Sequence, residues 1–290
     1  MPVKPAFSVL DGQQGANTSY MFLNYRACGD DAENLLDLSN WDTSNVRNFQ
    51  GMFSGFNGYS LLGCAYHGVN VKFPKDGLTT GTQANISYMF ENSNVITETT
   101  PVPDPSKAQF IVESVGIKLT DIIDTKDVVN FSHIFDGMYS TETKRDEKSG
   151  LFWYKFASID VSGVNYEIAQ DMSYMFANAF CRLDGGEFGG EAYVNGKLTL
   201  FGDENEGEDT PTINGEHFFD GCNADLLDLA QIDTSIFNNI SYFFANYGYI
   251  DLHGKIYNLS NLSMANKTAV AGLFYNAYFD TEKGGDLVLD

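Results

Sequence analysis

Four cysteines and four histidines in 290 residues leave this chain poor in the usual metal ligands and nucleophiles. Cys28, Cys64, Cys181 and Cys222 stand far apart with no C-x-x-C pair, so metal-ligand spacing is absent and free thiols are expected. His67, His133, His217 and His253 are scattered. There is no nucleophile elbow, phosphate loop, H-E-x-x-H or dinucleotide fingerprint, so neither an enzyme nor a cofactor is expected. Basic residues are scarce too: 17 Lys and Arg face 39 Asp and Glu, a formal charge of −22. Such a surface repels phosphate backbones and anionic headgroups, which speaks against nucleic acid and bare membrane as partners. It favours solubility, divalent cations or a basic partner surface. No apolar run reaches the roughly 18 residues of a membrane-spanning helix. The start, Met1 to Phe7, lacks the apolar stretch of a secretory signal. Either a signal was trimmed, or the protein leaves its cell by another route, such as inside a virus particle.

What the chain does have is a repeat. A phenylalanine preceded by a bulky apolar residue recurs eight times, at Phe22, Phe53, Phe90, Phe135, Phe176, Phe219, Phe244 and Phe274, with spacings of 25 to 45 residues. Two positions after each stands only Asn or Gly: Asn24, Gly55, Asn92, Gly137, Asn178, Gly221, Asn246 and Asn276. These two types best tolerate left-handed backbone, so a left-handed stop is expected there. Five positions before the Phe, most copies carry Asn and one carries Asp171. Apolar residues at −4, −1 and 0 share one face of a short helix, which at two turns must dock on something to be stable.

The dock lies upstream. Leu36 and Leu38, or Leu227 and Leu229, or Ile159 and Val161, alternate as in a half-buried strand. The pairs Asp42-Thr43, Asp124-Thr125 and Asp233-Thr234 follow as turn and cap signals. Each unit reads strand, turn, short helix, left-handed stop, and successive strands entering from one side pair in parallel. The expected fold is an α/β repeat solenoid with a parallel sheet on one face and short helices on the other.

Leu35-Leu36-Asp37-Leu38-Ser39-Asn40-Trp41-Asp42-Thr43-Ser44-Asn45-Val46, followed by Gly51-Met52-Phe53-Ser54-Gly55, resembles the BspA-like leucine-rich repeats of bacterial surface proteins. Residues 226–244 are a second match, and Asp171 to Phe176 matches the helical half. The resemblance implies a right-handed leucine-rich-repeat array and a surface adhesin. Here the array is read as about eight units over 17–290, with residues 1–16 as a cap or docking segment. Insertions interrupt it near 96–117, 140–156 and 182–212. The last holds Asn195-Gly196, a type I′ hairpin signal. The acidic run Asp203 to Asp209 is dense in oxygen ligands but lacks the sixth-position glycine of an EF-hand, and no metal site is assigned to it.

Two groups are the candidate ligand-binding residues. Phe152, Trp153 and Tyr154 form an aromatic cluster in an insertion, able to stack on sugars, anchor an interface, or bury itself on the repeats. Asp37, Asp160 and Asp228 lie between paired apolar strand residues and should face away from the core. They belong to different repeats, too far apart for paired acid catalysis. Seven Asn-x-Ser/Thr sites, four of them on the repeat's own Asn, read as structure rather than glycan acceptors. His133 and His217 take the position that holds Tyr in other units and also read as structure. The function expected is noncatalytic recognition on a bacteriophage particle, as a fibre, decoration or receptor-binding component that binds a host surface glycan or protein. A cell-surface adhesin and a structural scaffold docking on neighbouring virion proteins are the alternatives, and a homo-oligomer is open.

Overall fold

In the computed structural model, residues 15–25, 35–56, 69–93, 95–96, 113–138, 143–145, 152–180, 196–201, 212–224, 227–228, 233–248, 256–257 and 262–279 are described. For some strand residues, Phe152 to Ser158 among them, only the backbone is. Fifteen strands occur among these residues. They run β1 (Ala16–Asn17), β2 (Leu35–Asp37), β3 (Val46–Asn48), β4 (Val69–Lys72), β5 (Ala84–Asn85), β6 (Val95–Ile96) and β7 (Glu113–Lys118). A single helical turn, α1 (Leu119–Ile122), leads to β8 (Val128–Asn130), β9 (Thr143–Arg145), β10 (Phe152–Asp160) and β11 (Gly196–Thr199). The last four are β12 (Ile213–Asn214), β13 (Leu227–Asp228), β14 (Phe237–Asn239) and β15 (Ile256–Tyr257).

The Asn column organises the stack. Asn17 pairs with Asn48, Asn48 with Asn85 and Asn85 with Asn130, all in parallel. Single bridges carry the column through Asp171 to Asn214, and then Asn239 and Ala269 follow. Eight units therefore lie one on the next in chain order. In each of the first seven, the side-chain oxygen at this position accepts the backbone N–H two residues on, as in Asn48 to Gln50 at 3.0 Å and Asp171 to Ser173 at 2.9 Å. This local turn bond is why Asn or Asp is needed there. It also explains why the Asn-x-Ser/Thr sites at Asn17, Asn85, Asn130 and Asn239 coincide with the repeat.

The upstream strands form further parallel sheets, β2-β4-β6, β7-β10-β11 and β13-β15. Leu38, Ile159 and Val161 are buried, as their alternation requires. In the Asp-Thr pairs the aspartate accepts a nearby N–H on the outside; Asp233 takes that of Ser235 at 2.8 Å and caps the 3-10 turn Thr234–Ile236. The threonine is buried and bonds to the next unit. Thr125 Oγ1 accepts the N–H of Asn165 at 2.9 Å, and Thr234 Oγ1 that of Ser263 at 2.6 Å.

Two expectations are corrected. The stretch from −4 to +2 is a ribbon of turns, not a helix. Phe53 N–H does not reach back to Phe49; it donates to Met89 of the following unit at 2.9 Å. Gly51 and Gly55 donate likewise to Ser87 and Glu91, while the residues between, Met52 and Ser54, close four-residue β-turns onto Phe49 and Gly51. The cause is a second left-handed position at −2. Tyr20, Tyr88, His133, Tyr174, His217 and Tyr242 all have φ between 55° and 59°, beside Gly51 and Gly272 at 60° and 62°. A residue in that conformation breaks a right-handed helix. The left-handed position at +2 is found as expected, from Asn24 (53°) to Asn276 (57°). The second correction concerns Gly196, expected in a hairpin turn. It opens β11, opposite Ala157 in a parallel pair. Residues 182–195 and most of 96–117 lie outside the described residues, as do 1–14.

A file of stacked rings runs through the hydrophobic core. Each repeat phenylalanine stacks on the next at centroid distances of 5.4 to 5.9 Å, unbroken from Phe22 to Phe274. The six interior members are fully buried. Burial of each contributes about 1.5–3 kcal/mol, and each ring pair about 0.5–1.5 kcal/mol more.

Candidate functional site

The second left-handed position builds a feature that the sequence reading did not foresee. On the outside of the turn ribbon, Tyr88, His133, Tyr174, His217 and Tyr242 stack as a continuous row. Centroids are 4.4, 4.4, 4.5 and 4.8 Å apart, with planes within 10° of parallel. All five are partly accessible. The order alternates Tyr and His because two kinds of unit alternate. Units with Tyr at −2 carry Asn at +2, and units with His carry Asp at +1 and Gly at +2.

Each Asp of the second kind ties two units together. Asp136 Oδ2 accepts from His133 Nδ1 at 2.8 Å, and its Oδ1 accepts from Asn178 of the next unit at 3.1 Å. Asp220 repeats this with His217 at 2.6 Å and Asn246 at 2.8 Å. Gly137 and Gly221 follow because a Cβ there would run into Asn92 and Asn178 of the preceding unit. The row is thereby fixed in spacing and flanked by carboxylates. Burial, then the neighbouring Glu91, raises the Tyr88 hydroxyl above the ordinary tyrosine pKa; burial and Glu216 do the same for Tyr174. The hydroxyls of Tyr88 and Tyr174 therefore stay protonated at neutral pH.

The residues singled out from sequence are placed differently. Asp37, Asp160 and Asp228 each end a strand, in three separate sheets, and none pairs with another. Asp37 faces solvent as expected. It accepts from both the hydroxyl and the N–H of Ser39 and lies 3.6 Å from Lys72, and the Ser39 bonds lead in holding its carboxyl below the usual range. Asp160 is half-buried and accepts from Ser162 N–H at 2.8 Å. Both serve local turns. Phe152, Trp153 and Tyr154 lie in the first part of β10, opposite Arg145, Lys144 and Thr143 in an antiparallel pair. That strand then runs on into the parallel sheet, so the insertion is continuous with the repeat. Their side chains lie outside the described ones, as do those of Asp228 and the whole of 203–209. Among the described residues no cluster of three or more His, Cys, Asp or Glu could hold a metal ion, and no helix is long and apolar enough to cross a membrane.

Comparison with known proteins gives a family match. Residues 8–100 match a family model described as Mycoplasma protein of unknown function, DUF285. The matched stretch holds the units of Phe22, Phe53 and Phe90, and at a coarse level it fits a bacterial surface-repeat family. No curated protein and no solved structure matches the chain.

Proposed function

We propose that the chain is a noncatalytic recognition protein: a leucine-rich-repeat-type solenoid that presents its aromatic and acidic stripe to a partner on a bacterial surface. The observation that carries this reading is the stripe itself, five rings at fixed spacing beside Glu91, Asp136, Glu216 and Asp220. Backbone bonded to both neighbouring units holds the rings in place before any partner arrives, so little ordering entropy is lost on binding. Carboxylates along the row favour a protein or glycan with cationic groups. The β9–β10 hairpin with Phe152, Trp153 and Tyr154, and the strand-end acids Asp37, Asp160 and Asp228, are further contact points in this reading.

The match over residues 8–100, which at a coarse level fits a bacterial surface-repeat family, favours a protein displayed on the cell surface, and an adhesin is the first form this reading takes. The long insertions between units support the second reading, a fibre, decoration or receptor-binding component of a virion that binds a host glycan, host protein or neighbouring virion protein. Mass spectrometry of surface-shaved cells and of purified particles separates the two. The test of recognition is binding of the labelled protein to intact bacteria and extracted polysaccharides. Saturable binding that falls on the order of tenfold, about 1.4 kcal/mol, with Tyr174→Ala supports the stripe. Saturable binding lost only in Trp153→Ala moves the site to the hairpin, and no saturable binding to any target removes the recognition reading.

A further inference from the structure

The two ends of the described stack are unlike its middle. Ten large apolar side chains are exposed among the described residues, and eight belong to the end units: Tyr20, Met21, Leu23 and Tyr25 in the first, Met264, Val270, Tyr275 and Tyr278 in the last. Two of these stand in core columns. Position −1 is fully buried from Met52 to Phe243, yet Met21 is 42% exposed. Position −4 is fully buried at Phe49, Ile86, Phe131, Met172 and Ile240, yet Val270 is 40% exposed. Charge is withdrawn from the same places. Residues 15–25 carry none and 262–279 carry only Lys267, in a chain that is 19% charged.

The two ends also differ from each other in a complementary way. Throughout the stack, N–H groups at −2, 0 and +2 donate to carbonyls at −3, −1 and +1 of the following unit, as Tyr20, Phe22 and Asn24 do to Gln50, Met52 and Ser54. At these three positions the direction is the same at every junction among the described residues, whereas the flanking +4 residues Phe180, Asn223, Gly248 and Tyr278 donate backwards, to Met138, Ala179, Cys222 and Tyr247. At the first unit the carbonyls of Ser19, Met21 and Leu23 accept no such bond, and at the last the N–H groups of Gly272, Phe274 and Asn276 donate none, among the described residues. One end is a row of acceptors and the other a row of donors at the same spacing, with the half-buried rings of Phe22 and Phe274 at the ends of the Phe file.

We propose that the chain associates head to tail with further copies of itself. The last unit of one copy seats on the first unit of the next, with Gly272, Phe274 and Asn276 donating to the partner's Ser19, Met21 and Leu23. The contact continues the ladder and the Phe stack across the junction. Such an interface is heterologous, so it propagates rather than closing at a dimer unless the rotation forms a ring. With −22 per copy, association strengthens as salt screens the repulsion. The proposal stands independently of what the stripe recognises.

Sedimentation velocity across a wide concentration range, at moderate ionic strength, tests it with three variants. Met21→Glu blocks the acceptor end and Val270→Glu the donor end, because each carboxylate can reach water in the monomer but is buried in the junction. Ile168→Glu, at an exposed site away from both ends, controls for added charge. Unchanged far-UV circular dichroism and melting show that each variant is folded. The expected result is a wild-type mass that rises with concentration, as does that of Ile168→Glu. Met21→Glu and Val270→Glu each remain monomeric alone, and their equal mixture reaches about twice the monomer mass, since one intact end of each kind remains. A wild type that is monomeric at every concentration, as it is if the chain's own residues 1–14 and 280–290 cover the ends, overturns the proposal. So does association that survives either end variant, or a mixture that stays monomeric.

Discussion

Replacing Phe135 by alanine tests the ring file where it is most enclosed. Phe135 is fully buried and stacks on Phe90 at 5.9 Å and on Phe176 at 5.6 Å. Truncation removes the transfer term, leaves a cavity between units that cannot collapse without breaking the ladder, and deletes both ring pairs. Buried Phe→Ala changes cost about 3–5 kcal/mol, and two lost stacks place this one near about 4–5 kcal/mol. Phe22→Ala is the internal comparison. Phe22 is only half-buried and has one neighbour in the file, Phe53 at 5.5 Å, besides Trp41 and Tyr25. Its loss should cost about half as much, roughly 2 kcal/mol. Urea denaturation followed by circular dichroism reads the difference as a shift in midpoint multiplied by the m-value. Because each unit contacts only its neighbours, the central cavity should also loosen coupling between the two halves and broaden the transition. Equal losses for the two variants, or a loss below about 1 kcal/mol for Phe135→Ala, would show that the rings are not a continuous file.

Other columns make independent predictions. Gly51→Ala places a Cβ against the Tyr20 ring at a φ of 60°, so it should destabilise by about 1–2 kcal/mol or more. Tyr20→Ala in the same chain should recover at least about 1 kcal/mol of that in a double-mutant cycle, and strict additivity would remove the contact from the explanation. Asn130→Ala loses the acceptor for Ser132 N–H and should cost about 1–2 kcal/mol, whereas Asn130→Asp keeps that acceptor, as Asp171 does in the next unit, and should lose less. Equal melting of the two variants would refute the turn bond as the reason for Asn. The raised pKa of Tyr88 and Tyr174 has a definite sign in stability. The folded chain holds these protons above pH of about 10, where the unfolded chain has begun to lose them. The stability they contribute is present below that pH and is lost as pH rises through their folded values. Denaturation midpoints should fall less steeply in alkali for Tyr88→Phe with Tyr174→Phe than for wild type, and parallel curves would contradict the assignment.

The sequence made the stacking legible and the local geometry only in part. The Asn or Gly restriction at +2 pointed to left-handed backbone, and each of those residues adopts it. Leu36 and Leu38 and the Asp-Thr pairs announced strands and turns that are present. The helical reading of −4, −1 and 0 fails because a ribbon of β-turns places the same residues inward as a short helix does. Apolar spacing cannot separate the two. The missing signal was in the −2 column, where Gly51 and Gly272 share a position with Tyr and His. A place filled by glycine twice is a place where left-handed backbone was to be considered for its other occupants. The stripe was missed for the same reason. His133 and His217 were recognised as substitutes for tyrosine, but a helix would have placed successive −2 residues on separate turns of separate elements, not in a row 4.4 to 4.8 Å apart. Asp37 and Asp160, chosen because they point outward, prove to be turn acceptors. An outward direction on a strand end is equally what a local turn bond requires.

The columns of the stack divide labour, and this bears on how such a chain can acquire a partner. Stability rests on the positions at −5, −4, −1 and 0, where Asn, apolar residues and Phe recur almost without exception. The −2 and +1 positions tolerate Tyr, His and Gly in one case and Leu, Ser, Glu, Asp, Ala and Tyr in the other. Both sets share a backbone bonded to the neighbouring units, so the variable side chains inherit the spacing of the constant ones. A substitution at −2 or +1 alters the charge and shape of the stripe while leaving the Phe file untouched. This separation lets surface chemistry diverge from unit to unit at little structural cost, which a catalytic constellation held between distant loops does not allow. The exception proves instructive at the stack's limits. There the constant columns themselves, at Met21 and Val270, become surface, and what reads inside the array as core reads at its ends as interface.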